Sequence, residues 1–230
     1  MPEMNDFYVG YAARVPERLR RSLYAVVAAL VCITSGVALL LVFNQQPFAD
    51  SRFEYQQNRD YTGWIELAPY PTLVANQIRY LLVAPGKHGA RDLLSDLDLR
   101  AVQLSGSLIQ RGDYRMLEVV PGSIHTVNGA VHATTLQSLG DATFDGEIVD
   151  SKCYLGVMNP GNGKVHRDCA VRCISGGIPP ALIVKGQTIL LHGLGNEVLT
   201  MVAQPVRVNG RLFRHGSTLA LQVHQLRRME

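Results

Sequence analysis

Residues 102–119, VQLSGSLIQRGDYRMLEV, and residues 206–223, VRVNGRLFRHGSTLALQV, align without a gap. Six of eighteen positions are identical: Val102 with Val206, Gly106 with Gly210, Leu108 with Leu212, Gly112 with Gly216, Leu117 with Leu221 and Val119 with Val223. Apolar and polar residues alternate through both, the period of a half-buried strand. Each is broken in the middle by a turn signal, Arg111-Gly112-Asp113 or His215-Gly216-Ser217, so each predicts a β-hairpin. The in-register turn glycines make an internal duplication the better explanation of the likeness.

The repeat extends upstream. Tyr61-Thr62-Gly63-Trp64-Ile65 matches Phe144-Asp145-Gly146-Glu147-Ile148 as an opening strand. Tyr80-Leu81-Leu82-Val83 is aligned with Ala181-Leu182-Ile183-Val184. A short helix-compatible piece precedes each hairpin, at residues 92–97 and 197–203. Three strands, a short helix and two strands is the order of the five-stranded OB-fold barrel, which hides its strand edges by closure. The expected fold is therefore mainly β: two tandem OB-like barrels, at residues 53–124 and 143–230, joined by a small, polar linker at 125–142.

The copies differ most at residues 150–180, where the second carries DSKCYLGVMNPGNGKVHRDCAVRCISGGIPP within an insertion the first lacks. Chemistry is commonly grafted onto a plain scaffold in such a segment. Residues 164–175 contain no Pro or Gly and predict a helix, stopped by Gly176-Gly177 and Pro179-Pro180. On that helix His166, Cys169 and Cys173 fall at i, i+3 and i+7, one face. Cys153 is expected to reach them from the end of the preceding strand. Three cysteines and one histidine form a legitimate closed tetrahedral metal set, and thiolate with imidazole suits zinc or copper. Asp150, Met158 and His192 are reserve ligands. The competing expectation is a disulfide of Cys153 with Cys169 or Cys173, since exported cysteines commonly pair; a reactive thiol is the third. No Cys-x-x-Cys-His haem site, Cys-x-x-Cys redox pair, Walker loop, G-x-S-x-G elbow or H-E-x-x-H helix is present, so no catalytic residue is assigned. Gly86-Lys87-His88-Gly89 reads as a basic turn able to touch an anion, though more simply as a hairpin loop.

The run Gly146, Ile148, Asp150, Ser151, Cys153, then His166, Cys169, Cys173, Gly176 and Gly177, resembles an uncharacterised bacterial domain of exported, membrane-anchored proteins. The resemblance covers the second barrel only and implies no activity.

Residues 23–43, LYAVVAALVCITSGVALLLVF, carry no charge, and as a helix they span roughly the 30 Å hydrocarbon core of a bilayer. Four arginines, Arg14, Arg18, Arg20 and Arg21, precede them. The positive-inside rule then predicts a cytoplasmic tail at residues 1–22, a single-pass anchor in a bacterial inner membrane, and periplasmic barrels. The apolar run is too long for a cleaved signal peptide. Cys32 lies within it, and Phe7, Tyr8 and Tyr11 are expected at the membrane interface or on a partner. Net charge is +3 with no lysine or arginine block outside the tail, which excludes an electrostatic nucleic-acid footprint. The expected function is a non-enzymatic accessory protein offering its Cys/His site to a membrane complex. The alternative is a structural subunit stapled by a disulfide.

Overall fold

The computed structural model describes residues 16–45, 50–131 and 136–229. The tail aromatics Phe7, Tyr8 and Tyr11 lie outside the described residues. The chain divides into two compact units, residues 1–47 and 48–230. The first is α1 (Glu17–Phe43), 27 residues long and without a buried residue. It starts six residues before the apolar run because Glu17 to Ser22 continue the helix without a breaker, beginning directly after Pro16, a residue suited to a helix start. At helical rise it measures about 40 Å. Thr34 within it returns its hydroxyl to the Leu30 and Val31 carbonyls, so even this polar group is satisfied inside the helix.

The second unit is mainly β and holds two closed barrels. The first is built from β1 (Ser51–Glu66), β2 (Thr72–Ala75), β3 (Ile78–Val83), α2 (Arg91–Leu94), β4 (Ala101–Arg111) and β5 (Tyr114–Val119). β6 (His125–Thr126) continues the pairing along β4 at Val102 and Gln103, beyond the end of β5. The second contains β7 (Gln137–Asp150), α3 (Arg167–Ser175), β8 (Pro180–Val184), β9 (Gln187–His192), α4 (Val198–Met201), β10 (Pro205–His215) and β11 (Thr218–Arg228). Both close in the order first, second, third, fifth, fourth, first, and in both the third and fifth strands run parallel. That is the OB-fold order, with α2 and α4 each standing between the third and fourth strands.

Glycines at equivalent places explain part of the repeat. A Cβ on Gly63 would meet the Val74 carbonyl oxygen at 2.2 Å, and one on Gly146 would meet that of Ile183 at 2.3 Å. First and second strands can close on each other at these points only without a side chain. A Cβ on Gly210 would likewise lie 2.0 Å from the Gln222 carbonyl oxygen.

The structure corrects one step of the sequence alignment. Tyr80 to Val83 lie in the third strand of their barrel, whereas Ala181 to Val184 lie in the second strand of theirs. The true counterpart of residues 71–83 is 180–192: each begins with a proline and turns through two left-handed residues, Asn76-Gln77 or Lys185-Gly186. The expected connector at 125–142 also carries more structure than its composition suggests. β7 begins at Gln137 because β10 offers partners as far as Arg214.

Each barrel has its own core, one around Ile65, Leu73, Leu82, Leu104 and Leu117, the other around Ile148, Leu182, Leu191, Val206 and Leu221. A third core lies between them. Leu81, Val83, Ile109 and Met116 of the first barrel pack with Tyr154, Leu155, Ile178, Leu190 and Ala220 of the second. Leu81–Leu82–Val83 is therefore buried on both faces, which is why it reads as an unbroken apolar run. The joint is fastened by polar contacts as well. Tyr70 donates its hydroxyl to the Leu191 carbonyl at 2.5 Å, and Tyr114 donates to that of Thr188. Arg111 lies 3.8 Å above the Tyr154 ring and donates to the Tyr154 carbonyl at 2.8 Å.

Candidate metal centre

The insertion between β7 and β8 forms the centre. β7 ends at Asp150, and the chain turns at once into a short helical piece that ends as a π-turn (Cys153–Val157). Cys153 thus comes from this turn rather than from the strand end itself. Asp150 sets the turn: its Oδ1 accepts the Cys153 amide at 2.8 Å. The second half is a 3-10 turn (Lys164–His166) running into α3. His166 is the N-cap of α3 rather than a residue of its interior, while Cys169 and Cys173 stand one helical turn apart. Gly176 and Gly177 end the helix, Gly177 in the left-handed region at φ +91°.

These elements bring the cysteines and histidine together. The ligand atoms of Cys153, His166 and Cys169 lie within 4.8 Å of one another, and so do those of Asp150, Cys153 and Cys173. Donors about 2.0–2.3 Å from a tetrahedral zinc ion stand roughly 3.3–3.8 Å apart, so closing these sets on an ion requires only small side-chain movement. Cys153, His166 and Cys173 are buried and Cys169 is half-buried. All three cysteines are free. Cys153 neighbours both other sulfurs, so the two pairings expected as disulfide alternatives join sulfurs that are adjacent in space.

The reserve ligands divide. Asp150 belongs to the cluster, but both its oxygens are already engaged: Oδ2 lies 3.0 Å from His166 Nε2 and Oδ1 holds the Cys153 amide. A carboxylate accepts, so the tautomer that suits this contact carries its proton on Nε2 and leaves the Nδ1 lone pair for a metal. This is the pairing by which outer carboxylates orient ligating histidines. Met158 is exposed at the end of the π-turn. His192 sits on β9 against Phe213, with ring centroids 6.4 Å apart, and belongs to neither converging set. Asp168 is an exposed helix charge.

The sulfurs are electrically unequal. Cys173 is held below the ordinary thiol range, chiefly by the hydrogen bond from Cys153, with the Lys87 ammonium and Cys169 adding to it against burial. Cys153 is pushed well above that range by the same bond and by its own burial.

Two lysines were not assigned to the site from sequence. Lys87, in the turn after β3, places Nζ 2.8 Å from Cys169 Sγ and 3.9 Å from Cys173 Sγ. The Cys169 contact is the main reason its ammonium is held above the usual lysine value. The residues around it form the expected hairpin-like turn: an antiparallel bridge pairs Val83 with Gly89, and the Ala84 amide donates to the His88 carbonyl. Lys152, beside Cys153, is buried and donates to the Ala84 and Gly86 carbonyls at 2.9 and 2.7 Å and to Glu118 at 2.5 Å. The flanking glycines of residues 86–89 were the only sequence signal for Lys87, and Lys152 had none.

The chain presents a buried Cys/His cluster able to hold a metal, on the second of two barrels, and earlier in the sequence an apolar helix of the kind that serves as an anchor or signal sequence. No protein-family model, curated protein or solved structure matches it.

Proposed function

We propose that this is a membrane-anchored, non-enzymatic accessory protein whose two-barrel body holds a thiophilic metal ion through Cys153, His166, Cys169 and Cys173. The observation that carries the reading is the convergence of the Cys153, His166 and Cys169 ligand atoms within 4.8 Å of one another, with Cys173 meeting Cys153 and Asp150 in a second such set. Asp150 supports it as the outer partner of His166. Zinc and copper(I) both suit this donor set. Burial of Cys153, His166 and Cys173 favours a closed, structural centre over an open catalytic one. α1 tethers the barrels, with the arginine-rich end cytoplasmic and the barrels periplasmic at a bacterial inner membrane. A complex in the same membrane is the natural partner of a body held at that surface.

The test is metal analysis and thiol titration of the full chain purified in detergent without chelators. One equivalent of zinc or copper per chain, with three thiols of the barrels unreactive until the metal is removed, supports the reading. Metal-free protein with two of those cysteines oxidised to each other rejects it. That second result would instead support a structural subunit stapled by a disulfide, an arrangement favoured by the adjacency of the Cys153 and Cys173 sulfurs.

A further inference from the structure

Metal-bound thiolates carry negative charge, and at this cluster Asp150 adds to it. Among the described residues, the cation bonded to the sulfurs is Lys87, at 2.8 Å from Cys169 and 3.9 Å from Cys173. Lys87 belongs to the other barrel. Its turn reaches the sulfurs because glycine lines the contact on both sides. A Cβ on Gly176 would lie 1.9 Å from the Lys87 carbonyl oxygen, and one on Gly89 would lie 2.3 Å from that of Gly177. The Gly89 amide donates to the Gly176 carbonyl at 2.8 Å. Lys152 crosses the other way, from the cysteine-bearing loop to the Ala84 and Gly86 carbonyls. The two lysines thus interlock the turn and the loop.

We infer that the centre is completed across the joint: Lys87 is an outer positioning residue that donates to the Cys169 thiolate, and docking of the first barrel's turn governs how long the metal is retained. The physical reason is general. A hydrogen bond from a cation stabilises a coordinated thiolate in its charged form, and loss of such outer partners typically weakens metal binding by roughly 10–100-fold. Coupling is reciprocal, so a bound metal that fixes Cys169 also holds the turn against the second barrel. This inference rests on the metal reading above and names what regulates that site.

The experiment compares the full chain in detergent with Lys87→Met, Lys87→Arg and Gly89→Ala. Zinc release to a chromogenic chelator and the sulfur-to-cobalt charge-transfer band of the cobalt(II)-loaded protein are recorded for each. Lys87→Met should release zinc about 10-fold faster or more and shift the cobalt band; Lys87→Arg should restore most of both. Gly89→Ala, which keeps the lysine but lifts the turn, should also speed release. Unchanged release and an unchanged band in Lys87→Met would overturn the inference, even if the variant melts at a lower temperature. Unchanged release in Gly89→Ala would overturn the part that concerns docking. If the unsubstituted chain takes up none of zinc, copper(I) and cobalt, the metal reading itself fails, and that result is distinct because no band appears in any protein.

Discussion

Asp150 Oδ2 and His166 Nε2 lie 3.0 Å apart with both side chains buried, and the same carboxylate caps the Cys153 amide through its other oxygen. One side chain therefore orients the histidine and shapes the turn that delivers a cysteine. Asp150→Ala would strand two buried polar groups at once. The expected loss is about 3 kcal/mol, or roughly 6–12 °C in Tm for a unit of this size, measured on metal-free protein. Zinc affinity should fall roughly 10–100-fold by chelator competition. Asp150→Asn keeps an acceptor for the amide and should lose less stability than Asp150→Ala. Equal stability of the alanine variant and the unsubstituted chain would show that these contacts contribute nothing.

Gly176 tests the joint. Its φ of −82° suits any residue, so backbone strain plays no part in a substitution there. What opposes Gly176→Ala is the Lys87 carbonyl oxygen at 1.9 Å, and the expected cost is about 1–3 kcal/mol with displacement of the turn. Gly112→Ala is the useful contrast. Gly112 has φ +54° and open space around it, so only a left-handed backbone penalty of about 1–2 kcal/mol applies, with no clash against the Lys87 turn. Thermal unfolding gives both losses. Zinc release separates them, since it should quicken in Gly176→Ala alone.

Acid should loosen the second barrel through its histidines. His192 and His215 are both held below the ordinary histidine value by burial. For His215, Arg79 and His192 add to the lowering while Glu66 opposes it. As pH falls through about 6.5, the unfolded chain takes up these protons before the folded one does. The histidine contribution to stability is therefore flat above that point and is lost below it, down to the depressed folded values. Urea unfolding of metal-free protein at pH 7.5 and 5.5 should show the loss, and His215→Gln should reduce it. A loss of the same size in His215→Gln would clear His215 of any part in it.

Much of this architecture was legible in the sequence because strand period and turn chemistry are local. The hairpins at 101–119 and 205–228 announce themselves by alternation around Gly112 and Gly216. The third strand was misplaced for an equally physical reason. Leu81–Leu82–Val83 faces the barrel core on one side and the inter-barrel core on the other, so its apolar run carries no phase to align. The Cys/His set was legible because three members lie on one short helical segment and the fourth follows the strand before it. Lys87 was not, since it stands 82 residues ahead of Cys169 and meets it only across the joint between the two barrels.

Two barrels of the same strand order inside one chain have a further effect. Two identical subunits meeting face to face must repeat every contact about their axis, so a ligand offered by one would be offered by both. Here the facing halves are covalently joined, and Leu81 and Leu190 still share the joint as counterparts, but the halves are released from that constraint. One half carries the sulfurs and the imidazole, the other the lysine that faces them. A division of labour of this kind is open to a tandem repeat and closed to the homodimer it imitates.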